Sequence, residues 1–351
     1  RSLRMIVNYG RALQMALDQA MEQDPNVFVM GIGVDDHKAV FGSTQGLLQK
    51  YGPHRVFDTP IAEGAMTGVA IGAALAGLKP VHIHIRTDFL YLAMDQICNL
   101  AAKWHYMFGE QSSVPLVVRA VIGRSWGQGA QHSQSLQSLF MHVPGIKIVM
   151  PTTPRDAKGL LLGAILDPNP VLMIEHRLLY YIDGEVDDGP VAMPLGPAAI
   201  RRAGSDITIV ANSYMVAESL LAATYLMEHG IDVEIVDPVC LAPLDTETIL
   251  ASVRKTGRAL IVDTSWVTCG VSAEIAAICA EQAFGDLKGP VRRLGNKPVT
   301  CPVSKPLEEE FYPNALKIAE AVCEMLGRPM PSREAGPGGV PALTTKFKGP
   351  F

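Results

Sequence analysis

"DTPIAEGAMTGVAIGAALAGLKPVHIHI", residues 58–85, sets one carboxylate, Glu63, ahead of a run of Gly and Ala with no further charge until Lys79. Residues 64–77 read as a helix and 80–85 as a strand, the core of a strand–helix–strand unit. Gly64, Gly68, Gly72 and Ala76 recur every four residues and form one smooth helix face. Each Gly costs a helix about 1 kcal/mol relative to Ala. A close helix–helix or subunit contact would compensate for that; the plainer reading is packing on the helix's own sheet. The uncharged stretch 64–78 is shorter than the roughly 20 residues a membrane span needs. Glu63 reads either as a first-turn carboxylate favoured by the helix dipole or as a functional acid. In "PVHIHIRTDF", Val81, Ile83 and Ile85 point one way and His82, His84 and Arg86 the other. The polar set meets water or another subunit, or His84 and Arg86 border a pocket for an anionic or hydrogen-bonding group.

Outward from this unit the same alternation continues. Strands are expected at 26–34, 114–123, 145–150 and 170–175, and helices at 9–22, 88–108 and 154–167. Helices between apolar strands imply an α/β fold with a parallel sheet covered on both faces. The polar stretch 181–206 breaks the rhythm. A second βα series follows, with strands at 207–211, 232–237, 258–263 and 291–295. Its helices are expected at 213–229, 245–254, 271–284 and 313–326. The expectation is therefore two parallel-sheet α/β domains, 1–185 and 207–328. A linker over 186–206 joins them, and a Pro/Gly-rich tail over 329–351 is extended or disordered.

The 351 residues suit two domains. A chain 48% hydrophobic and 19% charged is globular rather than disordered. A net charge of −5 argues against nucleic acid or an anionic membrane as partner. The opening residues show no signal peptide. The six Cys lack metal or redox spacing, which fits thiols in a reducing cytoplasm.

"GRSWGQGAQHSQS", residues 123–135, is a Gly-rich loop after a strand, where α/β active sites lie. His132 there suits proton transfer near neutral pH, or is a structural loop histidine. No P-loop, GxGxxG, HExxH, GxSxG or zinc spacing occurs. "GDL" at 285–287 lacks the Asn-containing run that places Mg²⁺ beneath a thiamine diphosphate.

Four ordered blocks then combine: "RVFDTPIAEGAMTGVAIGAALAGLKPV", "LAMDQICNLAAKWHYMFG", "VPLVVRAVIG…GQGAQHSQSLQSLF" and "IVMPTTPRDAKGLLLGAILDPNPVLMIEHRLLY". They closely resemble the β subunit (E1β) of thiamine-diphosphate-dependent 2-oxo acid dehydrogenases, particularly the pyruvate and acetoin branches. "DITIVANSYMVAESLLAA" and the blocks after it resemble the family's C-terminal transketolase domain, so the resemblance covers about residues 5–326. It implies a thiamine pyrimidine-binding domain followed by a transketolase C-terminal domain. It also implies that Glu63, in a TPI[SA]E motif, meets N1′ of the thiamine aminopyrimidine, so that the 4′ nitrogen can take the C2 proton. Phe89 would pack on the aminopyrimidine and Ile61 would line its pocket. His132 would assist proton transfer near the reacting carbon. Leu116, Ala164, Ile165, Asp167 and Asn169 fall where the family binds a monovalent cation, K⁺, through backbone carbonyls. Mg²⁺ and the diphosphate would be held by a separate α chain in an α₂β₂ heterotetramer, with a lipoyl acyltransferase as further partner. The location implied is the cytoplasm, or the mitochondrial matrix in a eukaryote.

The chain departs from the family's pattern in places. Ile83 stands where the family usually has Glu, His84 and Arg86 where it has apolar residues, and Arg124 and Trp126 in a loop usually richer in Gly. Arg86 or Arg124 would suit an anionic acceptor. The main expectation is an E1β subunit that decarboxylates a 2-oxo acid, or cleaves acetoin, and passes the acyl unit to a lipoyl carrier. The alternative is a two-chain transketolase-like carboligase that acts on an anionic acceptor without that carrier. A non-catalytic homologue is a third reading.

Overall fold

The computed structural model describes residues 3–123 and 127–331. They form two compact units. The first holds the described residues up to 123 and Leu139–Leu195; the second holds those of 127–138 and from Gly196 onward. The 127–138 loop thus belongs with the second unit, although it follows a strand of the first.

In the first unit the elements are β1 (Arg4–Asn8), α1 (Tyr9–Gln23), β2 (Val27–Gly31), α2 (Leu47–Tyr51), β3 (Val56–Asp58), α3 (Glu63–Leu75), β4 (Lys79–His84), α4 (Ala102–Met107) and β5 (Val117–Ile122). After α5 (Gln137–Met141), at whose start the units divide, come β6 (Lys147–Val149), α6 (Pro154–Leu166), β7 (Val171–His176) and β8 (Asp183–Asp187). The sheet runs β6-β7-β5-β4-β2-β3, all parallel. Its central strands β2, β5 and β7 are buried along their whole length, as a sheet covered on both faces requires. Helix α1 starts at Asn8, whose side chain accepts the Arg11 N–H, and α6 at a Thr153–Asp156 capping box. The two helices pack on each other.

Two features differ from the pattern read in the sequence. Residues 88–108 are not one helix: Thr87–Ala93 is 3₁₀, Asp95–Ala101 is a π-helix, and only Ala102–Met107 is α-helical. Apolar periodicity marks the buried side but not the winding, which is set here by close approach to α3. A Cβ on Gly64 would lie 2.7 Å from the Leu92 carbonyl oxygen. The Gly face is therefore used inside the unit at its first turn, while Gly72 has nothing within 4 Å. The second difference lies in the polar stretch 181–206. Its start forms β8, antiparallel to β1, and its end forms β9 (Ala199–Arg202), antiparallel to a strand of the second unit. Exposed edge strands carry too many polar residues for alternation to reveal them.

The second unit continues with β10 (Ile207–Ala211), α7 (Tyr214–Met227), β11 (Val233–Asp237), β12 (Cys240–Ala242), α8 (Thr246–Thr256), β13 (Ala259–Trp266), α9 (Val271–Gln282), β14 (Arg292–Asn296), α10 (Lys305–Phe311) and α11 (Ala315–Leu326). Its sheet runs β14-β13-β10-β11-β9, parallel except for β9. Among the described residues no helix is long and apolar enough to cross a membrane. The tail beyond 331 and Arg124 to Trp126 lie outside the described residues.

Inside the first unit one ion pair is fully buried. Arg119 of β5 donates to both Glu175 carboxylate oxygens, Nε to Oε1 at 2.6 Å and a terminal nitrogen to Oε2 at 2.9 Å. The same guanidinium reaches Ser43 at 3.1 Å, and Tyr180 donates to Glu175. The pair ties two central strands to the β2–α2 loop and to the turn after β7. Glu175→Leu leaves a buried guanidinium without its counter-charge and should cost about 3–5 kcal/mol. The urea midpoint measures this. Adding Arg119→Met should restore most of the loss, because the isolated charge and not the missing pair is what destabilises.

Candidate active site

Ligands of parallel α/β sheets bind beyond the carboxyl ends of the strands, where strand order reverses. In the first unit that point falls between β2 and β4: from β2 the chain moves outward to β3, then crosses back to β4. The carboxyl ends of these strands are drawn tightly together. A Cβ on Gly31 would stand 2.2 Å from the Ile83 carbonyl oxygen, so only Gly fits. The Asp58 carboxylate, ending β3, accepts N–H groups from Gly33 at 3.2 Å, Val34 at 2.7 Å and Asp35 at 3.2 Å.

From this edge Thr59–Ala62 lead into Glu63, the first residue of α3. Glu63 is only 6% exposed, and no described residue hydrogen-bonds to its carboxyl group, whose oxygens keep some access to solvent. The N-cap, Ala62, supplies no side-chain acceptor, so the helix dipole is the one favourable field the fold gives this acid. A buried carboxyl normally finds a protein partner. Gly64 then presses the helix start against Leu92, within the 3₁₀ segment that carries half-buried Phe89. Glu63 and Phe89 are thus brought onto packed, mutually fixed elements. Ile61 is 81% exposed and lies on the surface of this unit.

The polar face of β4 is turned inward. His82 and His84 are each buried, with ring centroids 4.1 Å apart. Neither nitrogen of His84, nor Nδ1 of His82, has a hydrogen-bond partner among the described residues. Burial pushes the His82 imidazole down to about 4. His84 lies well below its ordinary range, through burial first and His82 second. Both rings are therefore neutral near pH 7. Arg86 is also buried; it donates to the Gly123 carbonyl and pairs with Asp88 at 3.4 Å. Its charge is engaged in joining the ends of β4 and β5.

His132 is exposed and belongs to the second unit's loop, while Arg124 lies outside the described residues. The five residues read as a monovalent-cation site gather where the end of α6 meets the starts of β5 and β7. The Leu116 carbonyl accepts the Val171 N–H at 2.9 Å, and that of Ala164 accepts the Asp167 N–H at 3.3 Å. The Asp167 carboxylate accepts the Asn169 N–H at 2.9 Å and is paired with Lys147. A cationic group thus already stands at its only carboxylate. Among the described residues no group of three or more His, Cys, Asp or Glu side chains could hold a metal ion. Sequence reading did not single out Asp263, a fully buried acid; its one signal was an Asp inside the apolar run "RALIVD".

Residues 6–182 match the family model of the transketolase pyrimidine-binding domain, and residues 196–318 that of the transketolase C-terminal domain. The chain is 43% identical to the acetoin:2,6-dichlorophenolindophenol oxidoreductase β subunit of Cupriavidus necator, over 88% of this chain and 94% of that one. It is 42% identical to the pyruvate dehydrogenase E1 β subunit of Rickettsia felis, over 91% and 98% of the two chains. It is 43% identical to the mitochondrial pyruvate dehydrogenase E1 subunit β-2 of Oryza sativa, over 91% and 86%. Among solved structures, a split-gene transketolase, described as an inactive β₄ tetramer, shares the fold at 24% identity with a TM-score of 0.74. It covers 92% of this chain and 98% of its own.

The buried imidazoles give a pH test. The folded His82 lies near 4 against 6.5 when unfolded, so below pH 6.5 protons bind the unfolded chain preferentially. Its contribution is complete above pH 6.5 and is lost as pH falls toward 4, at up to about 1.4 kcal/mol per pH unit. Urea unfolding across that range should show the wild type losing stability more steeply than His82→Leu/His84→Leu.

Proposed function

This chain belongs to the transketolase-type family of E1 β subunits of pyruvate and acetoin dehydrogenases, and on that premise we propose its reaction and the roles of its residues. It is the β subunit of a two-chain enzyme that decarboxylates a 2-oxo acid, or cleaves acetoin, and passes the acyl unit to a lipoyl carrier. The observation that carries this reading is Glu63: a buried acid without a protein partner, at the start of a smooth apolar helix on the switch-point edge. Such a group fits an aminopyrimidine ring nitrogen, which would supply the hydrogen bond the fold withholds. Bound thiamine diphosphate supplies a carbon nucleophile the amino acids lack.

The chain's own residues do the rest. Glu63 holds a proton at N1′. The Gly/Ala helix behind it excludes water, which strengthens that bond. Phe89 offers a ring face and edge to the pyrimidine. His132 gives or takes a proton at the reacting carbon. An α chain would contribute Mg²⁺ and the diphosphate site, and the carbonyls of Leu116 and Ala164, each of which already accepts one N–H, would be the groups to hold K⁺. Support for a partner chain comes from exposed apolar side chains on and beside the packed segment. Ile61 is 81% exposed, Leu92 64%, Tyr106 88%, Met107 61% and Phe108 47%. Apolar residues gathered this densely mark an interaction surface. None of the six cysteines is in a disulfide, in keeping with a reducing compartment.

The alternative, a carboligase for an anionic acceptor, drew on Arg86 and Arg124. The Arg86 guanidinium is already shared between Asp88 and Gly123, which leaves it poorly placed for a second anion.

Co-expression with an α-type partner tests both parts. Glu63→Gln should retain thiamine diphosphate binding by calorimetry while turnover of pyruvate or acetoin falls by about 100-fold or more. Full turnover in that variant would refute the assignment. Separately, Tyr106→Asp should abolish co-purification with the α chain while leaving the unfolding midpoint of the isolated chain unchanged.

A further inference from the structure

The loop that carries His132 is held by an unusual set of buried polar groups. Gly127 and Gly129 both adopt φ of +65°, and a Cβ on Gly129 would lie 2.9 Å from the Val303 side chain. Beyond them residues 130–132 turn and bend, and 133–136 lead without regular secondary structure into α5. His132 is exposed, Ser133 is 1% exposed, Gln134 is half-buried, Ser135 is 3% exposed, Leu136 is 5% exposed and Gln137 is fully buried. The buried polar positions are tied to the second unit. Ser133 lies beside the Tyr312 hydroxyl. Ser265 Oγ donates to the Ser135 carbonyl at 2.7 Å. Gln137 Nε2 donates to Asp263 Oδ1 at 2.9 Å and to Thr264 Oγ1 at 3.1 Å. Asp263 in turn accepts from Asn212 Nδ2 at 3.0 Å and from the Ser265 N–H at 3.2 Å. The hub sits at the carboxyl ends of β10 and β13, where strand order reverses in this sheet. Residues of the chain's own loop occupy that place.

A buried acid and a buried amide are a costly way to fasten a loop; apolar side chains would hold it more cheaply in solvation terms. What polar anchors add is register. A one-residue slip of this loop would move each polar group off its partner. Apolar contacts tolerate such a slip, but hydrogen bonds to fixed partners do not. Here a slip would take Ser135 from Ser265 and Gln137 from Asp263, and move His132 from its exposed place at the bend.

We propose that Gln137 and Asp263 are positioning residues: their hydrogen bond fixes the register of the 127–138 loop and thereby keeps His132 facing outward for proton transfer. This rests on the role given to His132 above. Neither residue touches the reacting atoms.

The test uses the α–β complex with thiamine diphosphate, pyruvate or acetoin as substrate and 2,6-dichlorophenolindophenol as electron acceptor. The variants are Gln137→Leu, His132→Ala and the two combined. Thr264→Val, which removes one of the two acceptors and keeps Asp263, serves as the milder variant should Gln137→Leu misfold. Gln137→Leu should lower kcat by about 10- to 100-fold with little change in KM. In the His132→Ala background it should change kcat by less than about 2-fold. Amides of residues 130–136 should exchange hydrogen faster in Gln137→Leu, while those of α7 and α11 keep their rates. Losses that multiply in the double variant, or unchanged exchange in the loop, would overturn the proposal. Wild-type turnover in His132→Ala would instead refute the role of the histidine and remove the catalytic meaning of the anchor. Faster loop exchange in Gln137→Leu would identify that case.

Discussion

At the carboxyl edge of the first sheet the fold holds one largely buried acid, Glu63, without giving its carboxyl group a hydrogen-bond partner among the described residues. Three close approaches shape this edge, two of them available only to glycine. Gly31 lets β2 and β4 close to van der Waals limits, Asp58 gathers the N–H groups of the 33–35 turn, and Gly64 seats α3 on Leu92. At the first turn of the helix that follows, a side chain larger than Gly64 would push this edge apart, while Gly72 further along has open space. The burial of the two histidines on β4 belongs to the same pattern, since that face of the strand is sealed rather than solvated.

Much of this was legible in the sequence. The strand–helix–strand reading of 58–85, the parallel sheets and the second βα series follow from apolar periodicity, and the structure has them. Glu63 was visible because a lone charge heads a charge-free helix. Spacing does not separate a dipole-stabilised first-turn acid from a functional one; the structure adds that this acid has no hydrogen-bond partner among the described residues. The 88–108 segment shows where periodicity stops. It reports which side is buried, but not the shift from 3₁₀ to π winding in a segment whose Leu92 carbonyl lies on Gly64. The polarity of β4 was noticed, yet its direction was not: alternation says that two faces differ, not that the polar one is sealed. Arg86 read as a free cation for an anion because its partners, Asp88 and the Gly123 carbonyl, leave little or no mark in the sequence. The β8 and β9 strands were hidden by their exposure.

The second unit shows a different use of buried polarity. Around Glu63 the fold withholds hydrogen bonds; around Asp263 it supplies them from Gln137, Asn212 and Ser265. The first arrangement leaves a carboxyl group without a protein partner, and the second joins a loop to the end of a strand. Neither is recognisable from residue type alone, since each is an acid near the end of an apolar segment. The partner list distinguishes them.

The most direct test of the central claim removes the ring nitrogen that Glu63 is held to meet. The α–β complex would be assayed with thiamine diphosphate analogues in which either N1′ or N3′ of the pyrimidine is replaced by a C–H group. The account predicts that the analogue lacking N1′ binds but loses turnover by about 100-fold or more, while the one lacking N3′ retains most of it. Equal activity of the two analogues would contradict it, because Glu63 would then be a helix-terminal acid with no part in the reaction.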